Sequence, residues 1–127
     1  MPALDIAPHF TEEEFRCPCG CETLNPNRSF LERLERARVR AGIPFKVTSG
    51  SRCPEHNEDV GGKNSSSHLA DDTLESRAAD VWTRASRQRF LIRKALIQVG
   101  FTRFGTGTDF IHVDDDPTKD KNVEWVY

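Results

Sequence analysis

The sequence predicts an α+β domain in which helices cover one side of a mainly antiparallel sheet. Two long segments with helical spacing lie early and mid-chain, whereas most strand-like segments lie late. The chain has 127 residues, a length that fits one hydrophobic core and one cleft. We therefore expect a single domain over residues 1–127.

Helix boundaries are marked by caps and by glycine. Thr11 and Glu14 form a capping-box pattern that predicts a helical turn over residues 11–16. A longer helix opens at Asn25-Pro26 and ends at Gly42, a shorter one covers residues 54–60, and another long one runs from Ser86 to Gly100. The apolar positions of the two long helices are Phe30, Leu31, Leu34, Ala37 and Ala41 in the first and Phe90, Leu91, Ala95, Leu96 and Val99 in the second.

Strands are predicted at residues 45–48, 77–82, 101–104, 110–113 and 123–127. Residues 63–67 are polar and loop-like. Charged residues make up 30% of the chain and hydrophobic ones 36%, the balance of a soluble globular protein. No basic stripe suggests nucleic-acid binding, and no apolar run approaches membrane-spanning length.

The four cysteines are unevenly spaced, with Cys17, Cys19 and Cys21 in one Cys-Pro-Cys-Gly-Cys run and Cys53 alone. Four thiolates are a ligand set for structural zinc, although the spacing differs from Cys-x-x-Cys. A disulfide from the cluster to Cys53 and reduced thiols are the alternatives.

Candidate catalytic groups concentrate around two histidines. A catalytic zinc uses three protein ligands, typically imidazoles with a carboxylate, and leaves one position open. His68, Asp80 and His112 would meet that requirement. The reaction also needs a carboxylate that accepts a proton and a cation near the substrate oxygens. One of the aspartates near His112 would accept the proton, and Arg52 would be the cation.

Several motifs occur in an order that resembles the M15 family of zinc peptidases. They are Thr48-Ser49-Gly50-Ser51-Arg52-Cys53-Pro54-Glu55-His56-Asn57, Val60-Gly61-Gly62, Ser66-x-His68, Ala78-Ala79-Asp80-Val81 and Phe110-Ile111-His112-Val113-Asp114. The resemblance runs from about His9 to Tyr127. It implies the fold shared by D-alanyl-D-alanine carboxypeptidases, phage L-alanyl-D-glutamate endopeptidases and the hedgehog signalling domain.

The resemblance implies specific roles for these residues. His68, Asp80 and His112 match the zinc ligands, and Arg52 matches an arginine that contacts substrate. Ser66 matches the first residue of the Ser-x-His-x-x-Gly-x-Ala-x-Asp ligand pattern and is assigned to substrate binding. The general base is either Asp109, three residues before His112, or Asp114, two residues after it. Asp114 would alternatively orient a ligand.

The chain departs from the family between the first two ligands. Eleven residues separate His68 from Asp80, where the family has six, so residues 70–75 resemble an insertion. Glu75 keeps the family spacing, but we expect Asp80 to be the ligand because a strand holds a metal ligand more rigidly than a polar loop does.

The resulting hypothesis is a monomeric zinc peptidase that hydrolyses stem or crosslink peptides of bacterial peptidoglycan, as a phage-type endolysin or cell-wall peptidase. Residues 1–10 lack the basic start and apolar block of a secretory signal. We therefore expect a protein that is cytoplasmic in the producing cell or virion-associated and that acts on the cell wall. The alternatives are a non-catalytic zinc-binding module and a virion structural module with the same fold.

Overall fold

The computed structural model describes residues 2–127 and contains seven strands and four helices. The strands are β1 (Ala3–Leu4), β2 (Ala7–Thr11), β3 (Lys46–Ser49), β4 (Ala78–Trp82), β5 (Arg103–Thr106), β6 (Phe110–Asp114) and β7 (Val123–Val126). The helices are α1 (Glu12–Phe15), α2 (Arg28–Ala41), α3 (Pro54–Asp59) and α4 (Ser86–Gln98).

The main sheet has five strands in the order β3-β4-β6-β5-β7. Its neighbours run antiparallel except β5 and β7, which are parallel. β4 and β6 are interior strands, and their register places Asp80 directly opposite His112. The α+β class with a mainly antiparallel sheet is thus confirmed.

The core lies between one face of the sheet and the two long helices, α2 and α4, which pack against each other. Side chains alternate between the faces of a strand, so Ala79, Val81, Ile111 and Val113 point into this core and are buried. The intervening residues of β4 and β6 therefore face the opposite side of the sheet, where the candidate site lies.

Two details of the long helices differ from the sequence prediction. The N-cap of α2 is Asn27, whose Oδ1 accepts a hydrogen bond from the Phe30 backbone at 3.0 Å, so the helix starts later than Asn25-Pro26. In α4, Ile92 is buried with Ala95 and Leu96, whereas Phe90 is 63% exposed.

The hairpin of β1 and β2 was not predicted, because two short strands give almost no periodic signal. Phe10 on β2 and Phe15 on α1 are both fully buried, and their rings meet edge to face at 5.9 Å. The hairpin thus closes one end of the core. Among residues 2–127, no helix is both long and apolar enough to cross a membrane.

Candidate metal centre and active-site cleft

The three predicted metal ligands come together from two strands and one loop. Asp80 and His112 lie on neighbouring strands on the face away from the helices. His68 follows the loop after α3. A backbone bridge fixes that loop to the segment after β3, since Arg52 N donates to the His68 carbonyl and Ala70 N donates to the Arg52 carbonyl.

Three side-chain atoms of this group face one another. His112 Nδ1 lies 2.9 Å from Asp80 Oδ1, and His68 Nε2 lies 3.2 Å from the same oxygen. The two ring nitrogens are 3.3 Å apart. Both histidines are buried, so the arrangement is held rigidly by packing.

The other nitrogen of each imidazole is already bound. His68 Nδ1 lies 2.7 Å from the Gly50 carbonyl, to which it must donate because a carbonyl only accepts. His112 Nε2 donates in the same way to Asp114 Oδ2 at 2.7 Å. In the neutral rings, the facing nitrogens therefore carry lone pairs. Three acceptors that converge in this way fit a bound cation, and two imidazoles with a carboxylate are a common donor set for zinc.

The electrostatics of the centre favour positive charge. Burial acts to raise the pKa of Asp80, but the close contacts with the His112 and His68 rings outweigh it and lower this pKa well below its ordinary value. Burial lowers the pKa of His68. Burial also acts to lower the pKa of His112, but the hydrogen bonds to Asp114 and Asp80 raise it overall. The carboxylate thus stays ionised beside a neutral His68, an arrangement that attracts a cation.

The centre forms the floor of a cleft of about 950 Å³, within the range of small-molecule and peptide-binding pockets. The family model described as Peptidase M15 matches residues 8–114, most of the chain. The matched part contains all three converging side chains. The chain belongs to the peptidase M15 family. No curated protein matches it significantly.

Membership in the M15 family makes the chain a metallopeptidase of a zinc-dependent group. Within residues 2–127, two groups of side chains can hold a metal ion. One is His68, Asp80 and His112, and the other is the four cysteines.

In this M15 chain, Arg52 contacts one of the proposed ligands. Its Nη2 lies 3.5 Å from Asp80 Oδ2, while Nε donates to Ser49 Oγ at 3.1 Å and Nη1 donates to Asn57 Oδ1 at 3.3 Å. Arg52 also lines the cleft. Its guanidinium therefore faces the cleft, as its predicted role in substrate binding requires, and it also orients Asp80 through a contact that the sequence did not indicate.

Asp114 lies behind His112 and is almost fully buried. Its Oδ2 accepts from His112 and its Oδ1 accepts from Arg103 Nε at 2.6 Å. Burial acts to raise the pKa of Asp114, but the hydrogen bonds from His112 and Arg103 lower it overall. Both oxygens are thus occupied, which corresponds to the orienting role that the sequence left open.

Asp109 is not brought to the metal centre. It is exposed in the turn between β5 and β6, and it is not among the residues that line the cleft. Its backbone carbonyl accepts from Thr83 N. Among the described residues, Asp80 and Asp114 supply the carboxylates of this cleft.

Ser66 lies at the edge of the cleft, and its hydroxyl accepts a hydrogen bond from the His68 backbone at 3.2 Å. It therefore fixes the loop that presents His68. Its predicted contact with substrate stays a prediction.

The insertion after His68 folds into a compact surface loop away from the two histidines. Asp71 Oδ1 accepts from the backbones of Thr73 and Leu74 at 2.8 and 2.7 Å. Asn25 Nδ2 donates to the carbonyls of Asp71 and Leu74. Glu75 accepts from Asn27 Nδ2 at 3.1 Å. The structure thus brings Asp80, and not Glu75, to the histidines.

Part of the cleft wall was not predicted from the sequence. Phe110, Trp125 and Tyr127 form an aromatic side, and Lys63 and Lys119 add positive charge. The Trp125 ring lies 5.4 Å from the His112 ring. The alternation of the last strand was available as a signal for Trp125 and Tyr127, because residues two apart on a strand share a face.

Proposed function

We propose that the protein is a zinc-dependent peptidase that hydrolyses a peptide bond in the stem or crosslink peptides of bacterial peptidoglycan. The observation that carries the proposal is the convergence of His68 Nε2, Asp80 Oδ1 and His112 Nδ1 at the floor of an open cleft. Family membership supports the peptidase chemistry.

The three converging atoms would hold the zinc ion. When bound, zinc supplies Lewis-acid activation of water and of the scissile carbonyl. The Gly50 carbonyl and the Asp114 carboxylate fix the tautomers of the two imidazoles. Arg52 holds the second oxygen of Asp80. These contacts pre-organise the centre, which reduces the reorganisation needed during reaction.

The charges of the cleft support a substrate that carries carboxylates. Arg52, Lys63 and Lys119 line it, and the Lys119 ammonium donates to Ser67 Oγ at 2.9 Å. Peptidoglycan stem peptides contain free carboxylates and D-residues, so cationic side chains near the metal would hold them in register. The aromatic side formed by Phe110, Trp125 and Tyr127 would contact the apolar parts of the peptide.

Proton transfer is proposed to involve Asp109 or Asp114. The burial of Asp114 and its bonds to His112 and Arg103 favour an orienting role for it. Asp109 is exposed and free to accept a proton from water, but it would have to approach the cleft when substrate binds.

We further propose that the protein acts as a monomeric phage-type endolysin or cell-wall peptidase. In the producing cell it would be cytoplasmic or virion-associated, and it would meet the cell wall after lysis or at infection.

A non-catalytic zinc-binding or virion structural module is the second candidate. One observation favours it. Among the described residues that line the cleft, Asp80 and Asp114 are the only ones with a side-chain carboxylate. Both of these are engaged with histidine.

Digestion of purified peptidoglycan by the zinc-loaded protein, followed by mass spectrometry of the released peptides, tests the proposal. We expect new amino and carboxyl termini within stem or crosslink peptides, and we expect none with His68→Ala. Intact peptidoglycan after treatment with a protein that holds zinc at this centre would instead support the non-catalytic module.

A further inference from the structure

The four cysteines form a second cluster, apart from the cleft. Cys17, Cys19 and Cys21 belong to the loop after α1, and Cys53 caps α3. The Cys17 sulfur lies 3.5 Å from that of Cys19 and 3.7 Å from that of Cys53, and the Cys19 and Cys53 sulfurs are 3.5 Å apart. All four sulfurs lie within 4.8 Å of one another.

These separations resemble those of a tetrahedral metal site. Four sulfurs at about 2.3 Å from one zinc ion lie about 3.8 Å from one another. A disulfide would bring one pair to about 2.05 Å and would engage only two of the thiols. The cluster instead gathers four sulfurs, three from one short loop and one from a distant helix end.

The backbone around the cluster also suits thiolates. Cys53 N donates to the Cys17 sulfur at 3.5 Å, and His56 N donates to the Cys53 sulfur at 3.4 Å. Hydrogen bonds of this kind stabilise negative charge on a metal ligand and fix its orientation. The loop itself is closed by Cys17 N, which donates to the Thr23 carbonyl at 2.8 Å.

We propose that Cys17, Cys19, Cys21 and Cys53 bind a structural zinc ion. Four thiolates in tetrahedral arrangement select zinc or iron among the common metals, and a site closed by four protein ligands has no open position for substrate. Binding releases the thiol protons to solvent as each sulfur becomes a ligand.

This zinc would lie next to the segment that positions residues of the cleft, and it would stabilise that segment. Cys53 directly follows Arg52, which faces Asp80. Gly50, two residues before Arg52, accepts the hydrogen bond that orients His68. Gly50 also packs closely on Phe15, so that a Cβ at this position would lie 2.6 Å from the Phe15 ring. Ser51 N donates to the Phe15 carbonyl. The zinc would therefore tie residues 17–21 to the segment that positions both Arg52 and His68.

Metal analysis of the purified full chain tests this inference separately from the proposed peptidase activity. We expect about two zinc ions per wild-type chain and about one in Cys19→Ser, in Cys21→Ser and in His68→Ala. Cys19 and Cys21 are exposed, so serine at either position spares the core. Glu22→Gln lies in the same loop and has no ligand sulfur, so it is the control that should keep both ions.

Cobalt substitution identifies the ligands. We expect intense sulfur-to-cobalt charge-transfer absorption in the wild type and in His68→Ala, and its loss in Cys19→Ser and Cys21→Ser. Titration of the denatured wild type with chelator present should find all four thiols. Full zinc in the cysteine variants, iron in place of zinc, or only half of the thiols reactive until a reductant is added would each overturn the proposal. A failure of peptidoglycan hydrolysis would leave these results unaffected.

Discussion

At the scale of single residues, the centre depends on which nitrogen of each histidine faces inward. His68 presents Nε2 and His112 presents Nδ1 because Gly50 and Asp114 hold the opposite nitrogens. The two ligands are therefore oriented by different partners, one a backbone carbonyl and one a buried carboxylate. Substitutions at the ligands and at these partners should have different effects.

Replacing His68 or His112 by alanine should remove the cleft zinc and preserve the fold. The loss of an imidazole leaves two protein ligands, too few for tight zinc binding. Equilibrium dialysis with zinc measures the loss, and circular dichroism checks the fold. Full zinc occupancy of the cleft in both variants would show that the ligand assignment is wrong.

Asp114→Asn should weaken zinc binding about 10- to 100-fold, the usual effect of removing a partner that orients a ligand. Asp109→Asn should leave zinc affinity unchanged because Asp109 is exposed and lies outside the cleft. Competition with a chromogenic chelator measures both affinities. Asp115→Asn is the matched control, since Asp115 pairs with Arg77 instead.

Kinetics on the same three variants identify the base. Loss of a general base costs about 10²- to 10⁴-fold in rate. Such a loss in Asp109→Asn with normal zinc affinity would assign the base to Asp109. The same loss in Asp114→Asn with normal zinc affinity would contradict its orienting role.

Arg52→Lys should lower kcat/KM about tenfold or more while changing the melting temperature little. The three contacts of Arg52, to Ser49, Asn57 and Asp80, use the planar fork of the guanidinium, which an ammonium cannot reproduce. Steady-state kinetics on stem peptides and a thermal melt measure the two effects. Arg84→Lys, at an exposed position, is the control, and equal kinetics for both variants would place Arg52 outside the reaction.

At the scale of elements, the pairing of β4 with β6 positions the centre. Their register sets Asp80 opposite His112 on the face away from the core. The sequence predicted both strands, at residues 77–82 and 110–113, from short apolar and β-branched runs that a single polar residue interrupts. It also predicted the α+β class and the three residues that converge here.

Other elements could not be predicted for identifiable physical reasons. β1 has two residues and no periodicity. The parallel pairing of β7 with β5 depends on contacts distant in sequence. The orienting contact between Arg52 and Asp80 joins a loop to a strand. The insertion was predicted as a polar loop, but its anchoring by Asn25 and Asn27 required the folded chain.

The insertion should be dispensable for metal binding. Glu75→Ala removes only a contact to Asn27, and deletion of residues 71–75 restores the family spacing between His68 and Asp80, so both variants should keep the cleft zinc. Asp80→Ala should lose zinc and hydrolysis together. Metal analysis of each variant, together with an activity assay, distinguishes Asp80 from Glu75 as the zinc ligand. If Glu75→Ala loses zinc while Asp80→Ala keeps it, the inserted segment carries the ligand.

At the scale of the whole molecule, two proposed metal sites flank the segment from Gly50 to Cys53. The cysteine site would bind the segment at Cys53. The cleft site depends on the contact of the Gly50 carbonyl with His68 and on the contact of the Arg52 guanidinium with Asp80. Since a metal that binds only the folded chain stabilises it, a strong chelator should lower the melting temperature of the wild type. The decrease should be smaller in Cys19→Ser, and equal decreases would contradict a stabilising role for the cysteine cluster.

A crystal structure of the zinc-loaded protein, with anomalous diffraction recorded at the zinc absorption edge, tests directly whether His68, Asp80 and His112 bind zinc. We expect an anomalous peak in the cleft, about 2.0 to 2.2 Å from His68 Nε2, Asp80 Oδ1 and His112 Nδ1. A cleft without a peak, or a zinc ion held by Glu75 or by other side chains, would contradict this assignment.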